Sequence, residues 1–66
     1  MKITLIIGEK REFREYDQNI TIKELLDDIS MPSETAVIKK NDEIVLDDEI
    51  VEEDDIIEVI KVIYGG

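Results

Sequence analysis

The two most apolar stretches of this 66-residue chain sit near its opposite ends. Residues 2–7 alternate, with Ile3, Leu5 and Ile7 on one face and Lys2, Thr4 and Ile6 on the other, the period of a half-buried strand. Residues 56–63 form a second strand, with Ile57 and Val59 directed at the core and Glu58, Ile60 and Val62 opposite. A domain of this length buries only about 60% of the surface its unfolded chain exposes, so neither stretch can be spared from the core. The two are therefore expected side by side at the centre of one sheet. If they run parallel, a crossover must join them, and the segment between them has to supply it.

That segment carries one helix signal. Thr21-Ile22-Lys23-Glu24 fits a capping box, in which Thr21 caps the first turn and Glu24 reaches back to a free backbone N–H. Ile22, Leu25, Leu26 and Ile29 then form an apolar stripe opposite Lys23, Asp27 and Asp28, and Ser30-Met31-Pro32 ends the helix after about ten residues. Gly8-Glu9-Lys10 reads as a turn into residues 11–16, a weakly patterned edge or outer strand with Phe13 set among charges. Residues 36–40 and 43–46 read as short strands around a tight Asn41-Asp42 turn. Residues 47–55 are an acidic connection with Ile50 and Val51 as anchors against the core.

The order is β-β-α-β-β-β, or β-β-α-β-β if the short pair is poorly formed. This is an α+β chain with a mixed sheet of four or five strands and one main helix on one face, the β-grasp arrangement. One helix cannot cover both faces, so the other face stays open. On it, Ile6, Ile60 and Val62 form either a docking patch or ordinary sheet packing partly covered by the acidic connection. Ile3, Leu5, Ile22, Leu25, Leu26, Ile29, Ile57 and Val59 read as core only.

Composition excludes several functions. With no Cys and no His there are no disulfides, iron–sulfur clusters, structural zinc sites or Cys- or His-based catalytic dyads. The net charge is −10, and residues 42–58 hold ten acids and no base. Such a surface repels phosphate backbones, so no direct nucleic-acid binding is expected. It either keeps a small domain soluble or steers it towards a basic partner. The acids lack the spacing and turn glycine of a calcium loop, so no metal site is expected. No stretch is long and apolar enough to span a bilayer and none has a signal-peptide pattern, which sets the expectation of a soluble, cytoplasmic protein without membrane contact.

Tyr64-Gly65-Gly66 follows the last strand without a polar spacer. Glycines place no side chain in the way and reach dihedrals other residues avoid, so residues 64–66 are expected to form a flexible C-terminal tail able to thread a narrow site. The alternative is a frayed end without function. Tyr64 either anchors that tail in a partner or packs back on the sheet.

A β-grasp chain with these features resembles the ubiquitin-like sulfur carrier proteins, most closely the thiamine-type carrier, with the molybdopterin-type carrier and archaeal small modifiers next. The residues that carry the likeness are the hairpin-first start, Thr21-Ile22-Lys23-Glu24-Leu25-Leu26, the Val37 and Val45 strands around Asn41, and Asp55-Ile56-Ile57-Glu58-Val59 running on to Gly65-Gly66. Asn41-Asp42 and Asp54-Asp55 stand where such carriers commonly have Asn-Gly and an Asp-Gly-Asp type of turn.

The resemblance implies a protein co-substrate and not an enzyme. The Gly66 carboxylate would be adenylated by a separate activating enzyme using ATP, and a persulfide donor would convert it to a thiocarboxylate. A downstream synthase would accept the sulfur for thiamine thiazole, molybdopterin or tRNA thiolation. Gly65 would give steric clearance, and Tyr64, Val62, Ile60 and Ile6 would meet the partner. No cofactor would be bound, and the carrier alone would be a monomer. Two other functions remain open: a modifier joined through Gly66 to lysines, and a non-covalent interaction domain.

Overall fold

A computed structural model describes residues 1–62. The elements are β1 (Lys2–Ile7), β2 (Lys10–Glu15), β3 (Ile20–Thr21), α1 (Ile22–Asp28), a 3₁₀ turn (Ser33–Thr35), β4 (Ala36–Lys40), β5 (Glu43–Val45), β6 (Ile50–Val51) and β7 (Ile56–Lys61). The main sheet has five strands in the order β2-β1-β7-β4-β5. β1 and β7 are parallel neighbours, with Leu5 opposite Ile57 and Ile7 opposite Val59. The two most apolar strands thus lie at the centre, and the expected β-grasp topology holds.

Local chemistry sets the turns. Gly8 has φ of 61° at the first position of the two-residue β1–β2 turn, where a positive φ matches the twist of the strands. Asn41 and Asp42 are both left-handed, at 50° and 74°, and close the β4–β5 hairpin between Lys40 and Glu43. Asn41 also ties that hairpin to β7. Its Oδ1 accepts the Ile56 N–H at 2.9 Å and its Nδ2 donates to Asp55 Oδ1 at 3.0 Å.

The capping box forms as expected: Thr21 Oγ1 accepts the Glu24 N–H at 3.1 Å, and Glu24 Oε1 accepts the Thr21 N–H at 3.0 Å. The helix is shorter than the apolar spacing suggests, seven residues, with Ile29 as its C-cap. Ser30 then turns left-handed at φ 58°, and the Met31 N–H donates back to Leu26 O at 2.9 Å. Ile29 is accordingly half-buried against the core, a correction to its reading as a full core residue. It leaves the helix axis at the turn where the stripe ends.

Two strands were not legible in the sequence. β3 and β6 are two residues each and pair antiparallel, Ile20 with Val51 and Thr21 with Ile50. Next to them the Ile22 and Lys23 N–H groups donate to Glu49 O and Asp47 O, both at 2.9 Å. The acidic connection therefore satisfies helix donors that no earlier turn can reach.

The core comprises Ile3, Leu5, Ile20, Ile22, Leu25, Leu26, Ile38, Val51, Ile57 and Val59. Ile20, Ile38 and Val51 join the residues expected there. Of the two anchors expected in the acidic connection, Val51 is buried and Ile50 is exposed.

Candidate functional site

Among the described residues no helix covers the side of the sheet away from α1, and β7 lies in the middle of that side. Register fixes which side chains share this face. Ile6 on β1 lies opposite Glu58 on β7, Glu58 lies opposite Lys39 on β4, and Lys39 lies opposite Ile44 on β5. One step towards the chain's exit, Ile60 on β7 lies opposite Val37 on β4. The Val62 N–H donates to Thr35 O at 2.9 Å, which keeps the chain beside the 3₁₀ turn one residue past β7.

Ile60 and Val62 are each 38% exposed, as expected of a surface patch. Ile6 is half-buried and stands two positions back along the ladder from Ile60. The face therefore carries Ile6 and Ile56 towards one end and Ile60, Val62 and Val37 towards the other, with β5 adding Ile44. Val37 and Ile44 belong to it and Leu46 lies two residues beyond Ile44, yet none was assigned to the patch from the sequence. Strand alternation gave their face; only β4–β7 pairing made Val37 a neighbour of Ile60. Tyr64, Gly65 and Gly66 lie outside the described residues.

The face also carries charge of both signs. Arg11, Lys39 and Glu58 stand in its middle row, and among the described residues none of them takes part in an ion pair. A partner would have to supply complementary charges around an aliphatic centre.

The acidic connection is not one solvated face. Lys40 Nζ donates to Glu49 Oε2 at 3.0 Å and to Ile50 O at 2.9 Å, with Asp55 Oδ2 at 3.7 Å and Glu52 Oε1 at 3.8 Å. Asp55 is buried, and its Oδ2 accepts the Glu52 N–H at 2.8 Å. Glu53 accepts the Lys2 N–H at 3.2 Å. Four of the ten acids thus hold the chain that leads into β7. Among the described residues no cluster of ligands able to hold a metal ion occurs, and no helix is long and apolar enough to cross a membrane.

Arg14, Lys40 and Tyr16 hold their protons more tightly than usual, and the last two bear on stability above neutral pH. The hydrogen bond to Glu49, with Asp55 and Glu52 nearby, raises Lys40. Burial raises Tyr16, helped by the hydrogen bond its hydroxyl donates to Asp28 at 2.9 Å. A raised folded-state value means the native state binds the proton better than the unfolded chain does. The stabilisation is complete below the ordinary values of about 10 and is lost as pH rises through the raised ones. The melting temperature followed by circular dichroism should therefore fall as pH rises above about 10. Lys40→Met should remove part of that slope.

Comparison with known proteins places this geometry. The ThiS family model matches residues 4–66. No curated protein sequence matches the chain. Among solved structures, a thiamine biosynthesis protein (ThiS) from Geobacter metallireducens is similar at a TM-score of 0.68 and 20% identity, covering 96% of this chain and 99% of that one. A ubiquitin-like protein from the hyperthermophilic archaeon Caldiarchaeum subterraneum is similar at 0.65 and 18% identity, covering 98% and 100%. At these identities the likeness speaks to the fold.

Proposed function

The chain belongs to the ThiS family, and from that premise we propose that it carries sulfur as a thiocarboxylate on Gly66. The observation that carries the reading is that the family match runs through Gly65-Gly66 to residue 66. A free carboxylate is a poor electrophile, because its charge is delocalised and its leaving group is bad. Adenylation by a partner enzyme replaces that leaving group with AMP and releases pyrophosphate. A persulfide then displaces AMP to give an acyl disulfide. A thiol cleaves this, leaving the thiocarboxylate on Gly66 and the donor in a disulfide. All catalytic side chains and the nucleotide belong to the partner, and this protein is its co-substrate.

Gly65 leaves room for the nucleotide site to close around the tail. The aliphatic surface of Ile60, Val62 and Val37 docks the activating enzyme, and Tyr64 anchors the tail beside it. Thiamine thiazole formation is the favoured destination of the sulfur, because the matching family model is that of ThiS and the chain most resembles the thiamine-type carriers. Molybdopterin synthesis and tRNA thiolation use the same chemistry.

Intact-mass measurement tests the reading. After incubation with the activating enzyme, ATP, a persulfide donor and a thiol, one oxygen of the terminus should be replaced by sulfur. Ile60→Asp should slow this loading while the fold is retained. A Gly65-Gly66 remnant on a lysine of another protein would instead establish a modifier, and an unchanged mass with every donor would leave a non-covalent domain.

A further inference from the structure

The two edges of the main sheet are built differently. β2 packs Lys10, Arg11, Glu12, Arg14 and Glu15 into six residues, charges of both signs that discourage another strand from pairing with it. β5 has no base, and Ile44 and, two residues on, Leu46 are 71% and 75% exposed. Among the described residues its outer backbone edge has no partner either. The two-residue turn makes Lys40 and Glu43 the first hydrogen-bonded pair of the hairpin, so alternation turns the N–H and C=O of Ile44, opposite Lys39, away from β4. Asp42 and Glu43 precede Ile44, and Asp47 and Asp48 follow Leu46. All four are exposed, and among the described residues none forms an ion pair.

We infer that β5 is a docking edge for an extended basic segment of another protein, which adds to the sheet as a sixth strand. The segment exchanges backbone hydrogen bonds with Ile44. Its apolar side chains lie over Ile44 and Leu46, and its lysines or arginines meet the four carboxylates. A second copy of this chain is a poor occupant, because pairing two β5 edges would set the same four carboxylates against each other. So short an edge gives a small contact area, and the association is a transient one. The inference goes beyond sulfur loading and stands without it.

Amide NMR on the full chain tests it, with an end-blocked synthetic peptide of alternating lysine and valine as probe and a glutamate–valine peptide as control. At physiological ionic strength the lysine peptide should give saturable shifts centred on Glu43, Ile44, Val45 and Leu46, and should protect the Ile44 amide from solvent exchange. Ile44→Pro removes an N–H that the fold does not use, so it should keep the remaining spectrum and weaken binding about tenfold or more. The reversal Asp47→Lys with Asp48→Lys should transfer preference to the glutamate peptide, and it decides the matter if the proline variant does not fold. Four results would overturn the inference. These are shifts spread over residues 47–54 that vanish with salt and leave Ile44 unprotected, binding centred on β2 or the open face, self-association through β5, and no binding.

Discussion

Deleting Gly66 is expected to abolish thiocarboxylate formation while leaving thermal unfolding within about 0.5 kcal/mol of the parent protein. The deletion still leaves a carboxylate at the end of the chain, but draws it back by about 3.5 Å. A misplacement of about 1 Å can already cost roughly 100-fold in rate, so three times that distance should leave no detectable loading. Stability should hold because the core, the sheet ladder and the Lys40–Asp55 cluster are all built by residues within 1–62. Two measurements on one sample check both halves: intact mass after incubation with the activating enzyme, and a thermal melt. Normal loading of the shortened chain would remove Gly66 as the reacting residue. A large drop in melting temperature would give the last residue a structural role instead.

The second large effect is on stability. Ile57→Ala should cost about 3–4 kcal/mol, within the range for emptying a buried isoleucine site. Ile57 is fully buried on the central strand, paired with Leu5 on one side and Lys40 on the other, and it faces the helix. A 66-residue domain has roughly 3–10 kcal/mol in total at typical stability per residue. The variant should therefore be partly unfolded at room temperature or melt at least about 12 °C lower. Its neighbour supplies the control. Ile56 points to the open face and is 47% exposed, so Ile56→Ala should change stability by only about 0.5 kcal/mol. Urea denaturation of the two variants measures the contrast, and equal losses would mean that the alternation of β7 is misassigned.

Expected and observed structure agree wherever the cause is local. Alternation along residues 2–7, the Thr21–Glu24 box and the left-handed Asn41-Asp42 turn each depend on residues a few positions apart, and each forms. The central pairing of β1 with β7 was also legible, because only those stretches are apolar enough for the middle of the sheet. The reach of the helix was not. Its stripe continues to Ile29, but the left-handed Ser30 and the bond from Met31 to Leu26 end it sooner.

What a residue type and a period determine is the face a side chain occupies, and that much of this protein is written in its sequence: the core side of β1 and β7, the capped helix, the open face and the two glycines. Which strands stand next to each other in what register is settled only when distant segments meet. That is why Ile60 finds Val37 and not Ile6 as its neighbour. It is also why Asp55, one acid in a run of them, becomes a buried acceptor for Asn41 and Glu52. Its burial requires Lys40 and Asn41 to arrive from another hairpin, and no pattern within residues 42–58 encodes their arrival.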